Sequence, residues 1–126
     1  MEKMDMLVKD EEAMLELGQK LARVLAGGDI LYLSGELGAG KTTLVRGIAK
    51  GLGYQGRVNS PTFTLMNIYN SDPPLYHLDF YRLEDGDLDD LGLDDYWQDE
   101  AIIAIEWPQR AANKLPGESL QINIEL

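Results

Sequence analysis

The chain has no cysteine, a single histidine and no long apolar run. The first absence excludes disulfides and thiolate-held metals. The last excludes a membrane-spanning helix, which needs about 18 consecutive apolar residues. The stretch from Met1 to Lys9 also lacks the apolar core and small-residue cleavage site of a secretory signal, so the expected location is the cytoplasm. Bases are scarce: 11 Lys and Arg stand against 22 Asp and Glu, a formal net charge of −11. That balance opposes broad electrostatic attraction to DNA or RNA. Nine of the acids crowd into Glu84 to Glu100 with no base among them, and the remaining 13 nearly balance the 11 bases. The segment reads either as a solvated acidic face or as a docking surface for a basic partner.

What is present is ordinary for a globular protein: 126 residues, 44% of them hydrophobic and 26% charged, enough for one domain around one core. Asp10 is placed to cap a helix whose first turn carries Glu11 and Glu12 and whose apolar residues Met14, Leu17, Leu21 and Leu25 recur at helical spacing. Gly27 and Gly28 are expected to end it. Ile30 to Ser34 reads as a buried strand, and a second helix is expected from about Lys41 to Leu52, stopped by Gly53. Phe63 to Tyr69 and Leu75 to Tyr81 read as two strands joined by the turn-forming Asn70 to Pro74. Short helices broken near Gly92 are expected in the acidic segment. Ala101 to Glu106 reads as a second apolar strand, Pro108 as the opening of a short helix, and Leu120 to Leu126 as a last strand. The implied fold is α/β, a mostly parallel central sheet with flanking helices and an antiparallel hairpin on one side, and the loop described next makes it P-loop NTPase-like.

Chemistry concentrates in Gly35-Glu36-Leu37-Gly38-Ala39-Gly40-Lys41-Thr42, which satisfies G-x-x-x-x-G-K-[ST] between an apolar strand and an amphipathic helix. Glycines let the backbone approach phosphate oxygens closely, and successive N–H groups turn into one concavity. The helix starting at Lys41 adds its positive end. Lys41 is expected to reach the β- and γ-phosphates, and the Thr42 hydroxyl to ligate Mg²⁺. Such a loop also needs an acid for the metal, commonly at the end of an apolar strand. Both Asp79 and Glu106 occupy such ends, and either could touch the ion. His77 shares a strand face with Asp79 and Tyr81 and reads as a structural residue rather than a catalyst. Guanine-reading proteins use an Asn-Lys-x-Asp motif. Here Asn113-Lys114 is followed by Leu115-Pro116, which leans the base towards adenine. Trp107, next to Glu106, reads equally as a nucleotide contact or as a core aromatic.

Several segments in order carry a resemblance: Asp-Glu-Glu-Ala at 10–13, Gly-Glu-Leu-Gly-Ala-Gly-Lys-Thr-Thr at 35–43, Ser-Pro-Thr-Phe-Thr-Leu at 60–65, Tyr-His-Leu-Asp-Phe-Tyr-Arg-Leu at 76–83 and Glu-Trp-Pro at 106–108. Over nearly its whole length the chain resembles the bacterial TsaE (also called YjeE) family. The resemblance implies an ATPase that assists threonylcarbamoylation of adenosine beside the anticodon of certain tRNAs. It acts on a TsaB–TsaD complex and does not itself transfer the group, so tRNA is met only through that complex. It further implies ATP or ADP with Mg²⁺ on Lys41 and Thr42, with Gly35, Gly38, Ala39 and Gly40 in the cradle and Thr43 bordering the phosphates. Asp79 falls near the γ-phosphate or metal, Glu106 is the acidic metal partner, Thr62 lies in a nucleotide-sensing loop at 60–64, and Glu11 comes close to the base. The similar proteins continue past the 120–126 strand, so residues 1–126 are expected to form one P-loop domain without that last strand and tail.

Phosphoryl transfer depends on positioning and charge neutralisation more than on covalent chemistry. Candidates for orienting water are Asp79, Glu106 and Thr62. No arginine is evident as a finger in cis, although Arg82 follows the HLDFY strand. Slow turnover alone, faster with partners, is the expectation. Two other classes compete. A small-molecule kinase would carry an Arg-rich lid where 84–100 has no base, and an ATP-gated binding module would hydrolyse only incidentally.

Overall fold

The computed structural model describes residues 6–35, 40–56, 66–80, 100–108 and 119–124. Asp10 caps α1 (Glu11–Val24) as its pattern predicts, its side chain accepting from the Ala13 N–H at 2.8 Å. The helix stops earlier than Gly27. Leu25 already has extended angles, and Asp29 accepts the Ala26 N–H at 2.7 Å, so a side-chain turn ends the helix before the glycine pair. Strand β1 (Ile30–Gly35) and helix α2 (Lys41–Gly51) flank the glycine-rich loop.

The hairpin follows as β2 (Met66–Tyr69) and β3 (Leu75–Asp79), paired antiparallel with Tyr69 opposite Leu75. Residues 63–65 and 81 of the expected strands lie outside the described residues. Strand β4 (Ile102–Glu106) is buried throughout, and β5 (Leu120–Ile124) ends the described chain. The Pro108 helix and the acidic stretch fall almost wholly outside it, only Glu100 of the latter being described.

The strands form one sheet in the order β2-β3-β4-β1-β5, parallel except for the β2–β3 pair. This is the mostly parallel sheet with an antiparallel hairpin that the sequence predicts. Alternation along the strands divides the core. Leu31, Leu33, Leu75, Ile102 and Ala104 pack with α1 and α2, whereas Leu78, Ile103 and Ile105 pack on the other face. The helices meet through glycines. A Cβ on Gly47 would run into the Leu15 carbonyl, and one on Gly18 would sit 2.5 Å from the Leu44 carbonyl oxygen. This close crossing fixes α2, and with it Lys41, against the sheet. Among the described residues, no helix is long and apolar enough to cross a membrane.

Candidate functional site

Three parallel strands, β1, β3 and β4, finish side by side. Asp79 stands directly opposite Glu106, and Glu106 opposite Leu33. The ends are tied by the Phe80 N–H to the Glu106 carbonyl at 3.0 Å and the Trp107 N–H to the Leu33 carbonyl at 3.3 Å. Open α/β sheets place their ligand crevices at this carboxyl edge. The N-terminus of α2 arrives at the same edge. Its cap is Gly40 at φ 108, a backbone shape that favours glycine, with no side-chain cap and no acid in the first turn. Helix α1 has an aspartate cap and two acids; α2 presents its positive end without that compensation, the arrangement that suits an anion.

Lys41 projects into this edge and is only 5% exposed. Its Nζ donates to the Gly35 carbonyl at 2.5 Å and lies 4.3 Å from the centre of the Trp107 ring, a cation–π contact. Burial lowers the lysine pKa below its usual value. Glu106 and then Asp79 oppose that shift by favouring the charged form. Trp107 reaches over the amine with φ 59, a left-handed backbone rare outside glycine. Strain of this kind, of order 1–3 kcal/mol, tends to persist where a site needs it.

Glu106 is 4% exposed and its Oε2 lies 2.5 Å from Nε2 of His77, which is fully buried. With Glu106 as the acceptor, the bond is made by the imidazole tautomer that carries its hydrogen on Nε2. Lys41, His77 and Glu106 are the three buried polar or charged side chains among the described residues, and all three lie at or next to this edge. Buried polar groups are unfavourable unless paired, and here His77 pairs with Glu106 and Lys41 with the Gly35 carbonyl.

Of the residues expected from sequence, Gly35, Gly40, Lys41, Thr42, Thr43, Asp79, Glu106 and Trp107 come together here. Thr42 and Thr43 lie half-buried in the first turn of α2. Glu11 sits in the first turn of α1 and pairs with Arg46 of α2 at 3.2 Å. Met14, one turn along, approaches Gly40, so this end of α1 borders the loop. Gly38, Ala39 and Thr62 lie outside the described residues, as do Arg82 and the Asn113-Lys114 pair. His77, read from sequence as structural and as sharing a strand face with Asp79, is buried on that strand, and the partner that spacing does not reveal is Glu106.

The donor set suits a hard divalent cation held jointly with phosphate. Among the described residues no three His, Cys, Asp or Glu side chains converge as a self-sufficient cage. Mg²⁺ is commonly held by one or two carboxylates together with substrate phosphates and water, and Thr42, Asp79 and Glu106 offer that partial set.

Comparison with known proteins identifies the family. A family model described as "Threonylcarbamoyl adenosine biosynthesis protein TsaE" matches residues 8–126. The chain is 41% identical over 132 residues to a protein of Haemophilus influenzae named tRNA threonylcarbamoyladenosine biosynthesis protein TsaE, covering 99% of this chain and 84% of the relative. A Streptomyces coelicolor protein of the same name is 45% identical over 117 residues, covering 89% and 78%. The crystal structure of Bacillus subtilis YdiB superposes with a TM-score of 0.80 at 36% identity, covering 93% of this chain and 72% of that one.

Proposed function

The chain belongs to the TsaE family, and from that premise we propose that it serves tRNA threonylcarbamoyladenosine biosynthesis as an ATPase acting on a TsaB–TsaD complex. The observation that carries the nucleotide part is the convergence of Lys41, at the start of α2, with Asp79 and Glu106 at the ends of adjacent parallel strands. Two carboxylates beside a buried amine form a site of mixed charge. A triphosphate satisfies the amine and the helix end, and a divalent cation satisfies the acids.

In this reading the α2 first-turn N–H groups and Lys41 hold the β- and γ-phosphates. The Thr42 hydroxyl, Glu106 and Asp79 hold Mg²⁺, which when bound neutralises charge on the phosphate oxygens. Trp107 covers the lysine and shields the contact from water. Water attacks the γ-phosphorus, the bond to the bridging oxygen breaks, and ADP and phosphate leave. The reading assigns Asp79 or Glu106 to orienting that water. With no cis arginine assigned to the transferring phosphoryl group, turnover alone is slow. A charge supplied by a partner complex accelerates it, by as much as about 10³–10⁵ if an arginine finger is the means.

The test is ATP turnover by the purified chain alone, with TsaB–TsaD, and with TsaB–TsaD plus tRNA. Slow phosphate release that rises with the partners supports the reading. Equal rates in all three mixtures refute the partner dependence, and absence of ATP binding refutes the nucleotide site.

A further inference from the structure

We infer that His77 is a positioning residue: its Nε2–H holds the Glu106 carboxylate in the orientation that receives the nucleotide's Mg²⁺. This deepens the ATP reading above and rests on it. The pair is diagonal across the parallel β3–β4 ladder. His77 stands opposite Ala104 and Asp79 opposite Glu106, so the histidine reaches one step forward to the end of the neighbouring strand. The Nε2 to Oε2 distance is 2.5 Å, with the two side chains 0% and 5% exposed. That bond occupies Oε2 and fixes the rotation of the carboxylate, leaving Oε1 as the oxygen to be presented to a cation.

A purely structural histidine would be expected to satisfy both ring nitrogens. Here Nδ1 is buried with no hydrogen-bond partner among the described residues. The nearby aromatic is Tyr69, whose ring centre lies 6.4 Å away; it packs against the imidazole. The fold therefore keeps an imidazole with one orphaned nitrogen, where leucine or phenylalanine would spare that atom and leave the buried Glu106 carboxylate without its partner. What the imidazole supplies that those side chains cannot is its hydrogen bond to Glu106. Hydrogen bonds that orient a ligating carboxylate matter in this way: removing such a partner commonly lowers metal affinity or activity about 10- to 100-fold.

The experiment compares wild type, His77→Leu and His77→Gln; glutamine retains a donor near the position of Nε2. MgCl₂ is titrated by calorimetry into each protein saturated with ADP, and ADP binding is also measured without Mg²⁺. The expected result is a Mg²⁺ affinity about 10- to 100-fold weaker in His77→Leu, largely restored in His77→Gln, with Mg²⁺-free ADP affinity unchanged in both. Because His77 is the only histidine in the chain, its imidazole resonances in wild type need no assignment, and they are expected to shift when Mg²⁺ joins bound ADP. A folded His77→Leu protein with wild-type Mg²⁺ affinity overturns the inference. If that variant does not fold, wild-type imidazole resonances that stay fixed while Mg²⁺ binds overturn it instead. A wild-type protein that binds no ADP refutes the nucleotide reading, and the inference falls with it.

Discussion

Replacing Lys41 with methionine separates what the site does from what the fold needs. The substitution keeps most of the buried stem and removes the amine. In the folded protein Lys41 is 5% exposed, with its amine bonded to the Gly35 carbonyl at 2.5 Å and 4.3 Å from the centre of the Trp107 ring. These contacts do not restore its hydration. Burial is the largest influence on its pKa and lowers it, outweighing the help from Glu106 and Asp79. The charged amine is thus less favourable here than in the unfolded chain. Removing it forfeits the hydrogen bond to the Gly35 carbonyl, about 1 kcal/mol net, and relieves a desolvation burden of opposite sign. Stability at pH 7 is therefore expected to hold within about 1 kcal/mol or to rise. Phosphate contact behaves differently: a charge-assisted hydrogen bond contributes about 1.5–3 kcal/mol, so ATP affinity should fall roughly 10- to 100-fold.

The pH dependence has a definite sign. Between the lowered folded pKa and the usual value of 10.5, the unfolded chain binds more protons at Lys41 than the folded one. Wild-type stability from this group therefore rises with pH across that window. Any advantage of Lys41→Met should shrink as pH climbs from 7 towards 10.5. Urea unfolding of both proteins at pH 7 and pH 10, with ATP binding by calorimetry, reads all three quantities. A loss of more than about 2 kcal/mol at pH 7 would make Lys41 a structural residue. ATP affinity within two-fold of wild type would remove it from the phosphate site.

Other outcomes follow from neighbouring features. Gly47→Ala should destabilise by at least about 1 kcal/mol in urea unfolding, because overpacking against the Leu15 carbonyl and Gly18 backbone outweighs the roughly 1 kcal/mol of added helix propensity; a stabilised variant would mean that α1 and α2 separate easily. Glu106→Gln and Asp79→Asn should each weaken the Mg²⁺ dependence of ADP binding while leaving Mg²⁺-free binding in place; the residue whose change has no effect on the Mg²⁺ titration is not a metal partner. Reversing Asp89 and Asp90 to lysine should weaken docking to TsaB–TsaD in a pull-down with ATP affinity unchanged, if the acidic segment is a docking surface; unchanged docking would leave it a solvated face.

Much of the fold is legible in the sequence alone. Ile30 to Ser34 and Ala101 to Glu106 are continuous apolar runs, and they form the two central strands because a parallel strand covered on both faces needs such a run. Asn70 to Pro74 joins two alternating segments, and these pair antiparallel. The end of α1 is harder to read. Gly27-Gly28 is the conspicuous stop, but the Asp29 side chain captures the Ala26 N–H first, and a short-range capture of that kind leaves no periodic trace. At the site, Lys41, Asp79 and Glu106 are legible because a motif or a strand end marks each. Strand order is not legible. Nothing in sequence spacing says that β4 lies between β1 and β3, and that order alone brings Glu106 next to both Leu33 and Asp79.

The same order explains why His77 resists interpretation from sequence. A lone histidine on an apolar strand is a structural residue by default, and its full burial on β3 agrees with that. Its meaning depends on a residue 29 positions away, delivered by the parallel β3–β4 register to 2.5 Å from its ring nitrogen. Shifting that register by one residue would turn Glu106 to the opposite face of the sheet and leave both groups buried and unpaired. The hydrophobic pattern of Ile102 to Ile105 forbids the shift, because the residues packed under the helices and those on the far face would exchange places. Ordinary core packing therefore sets the carboxylate in its place. The histidine then fixes the direction in which that carboxylate points, the part of the site that apolar packing cannot specify.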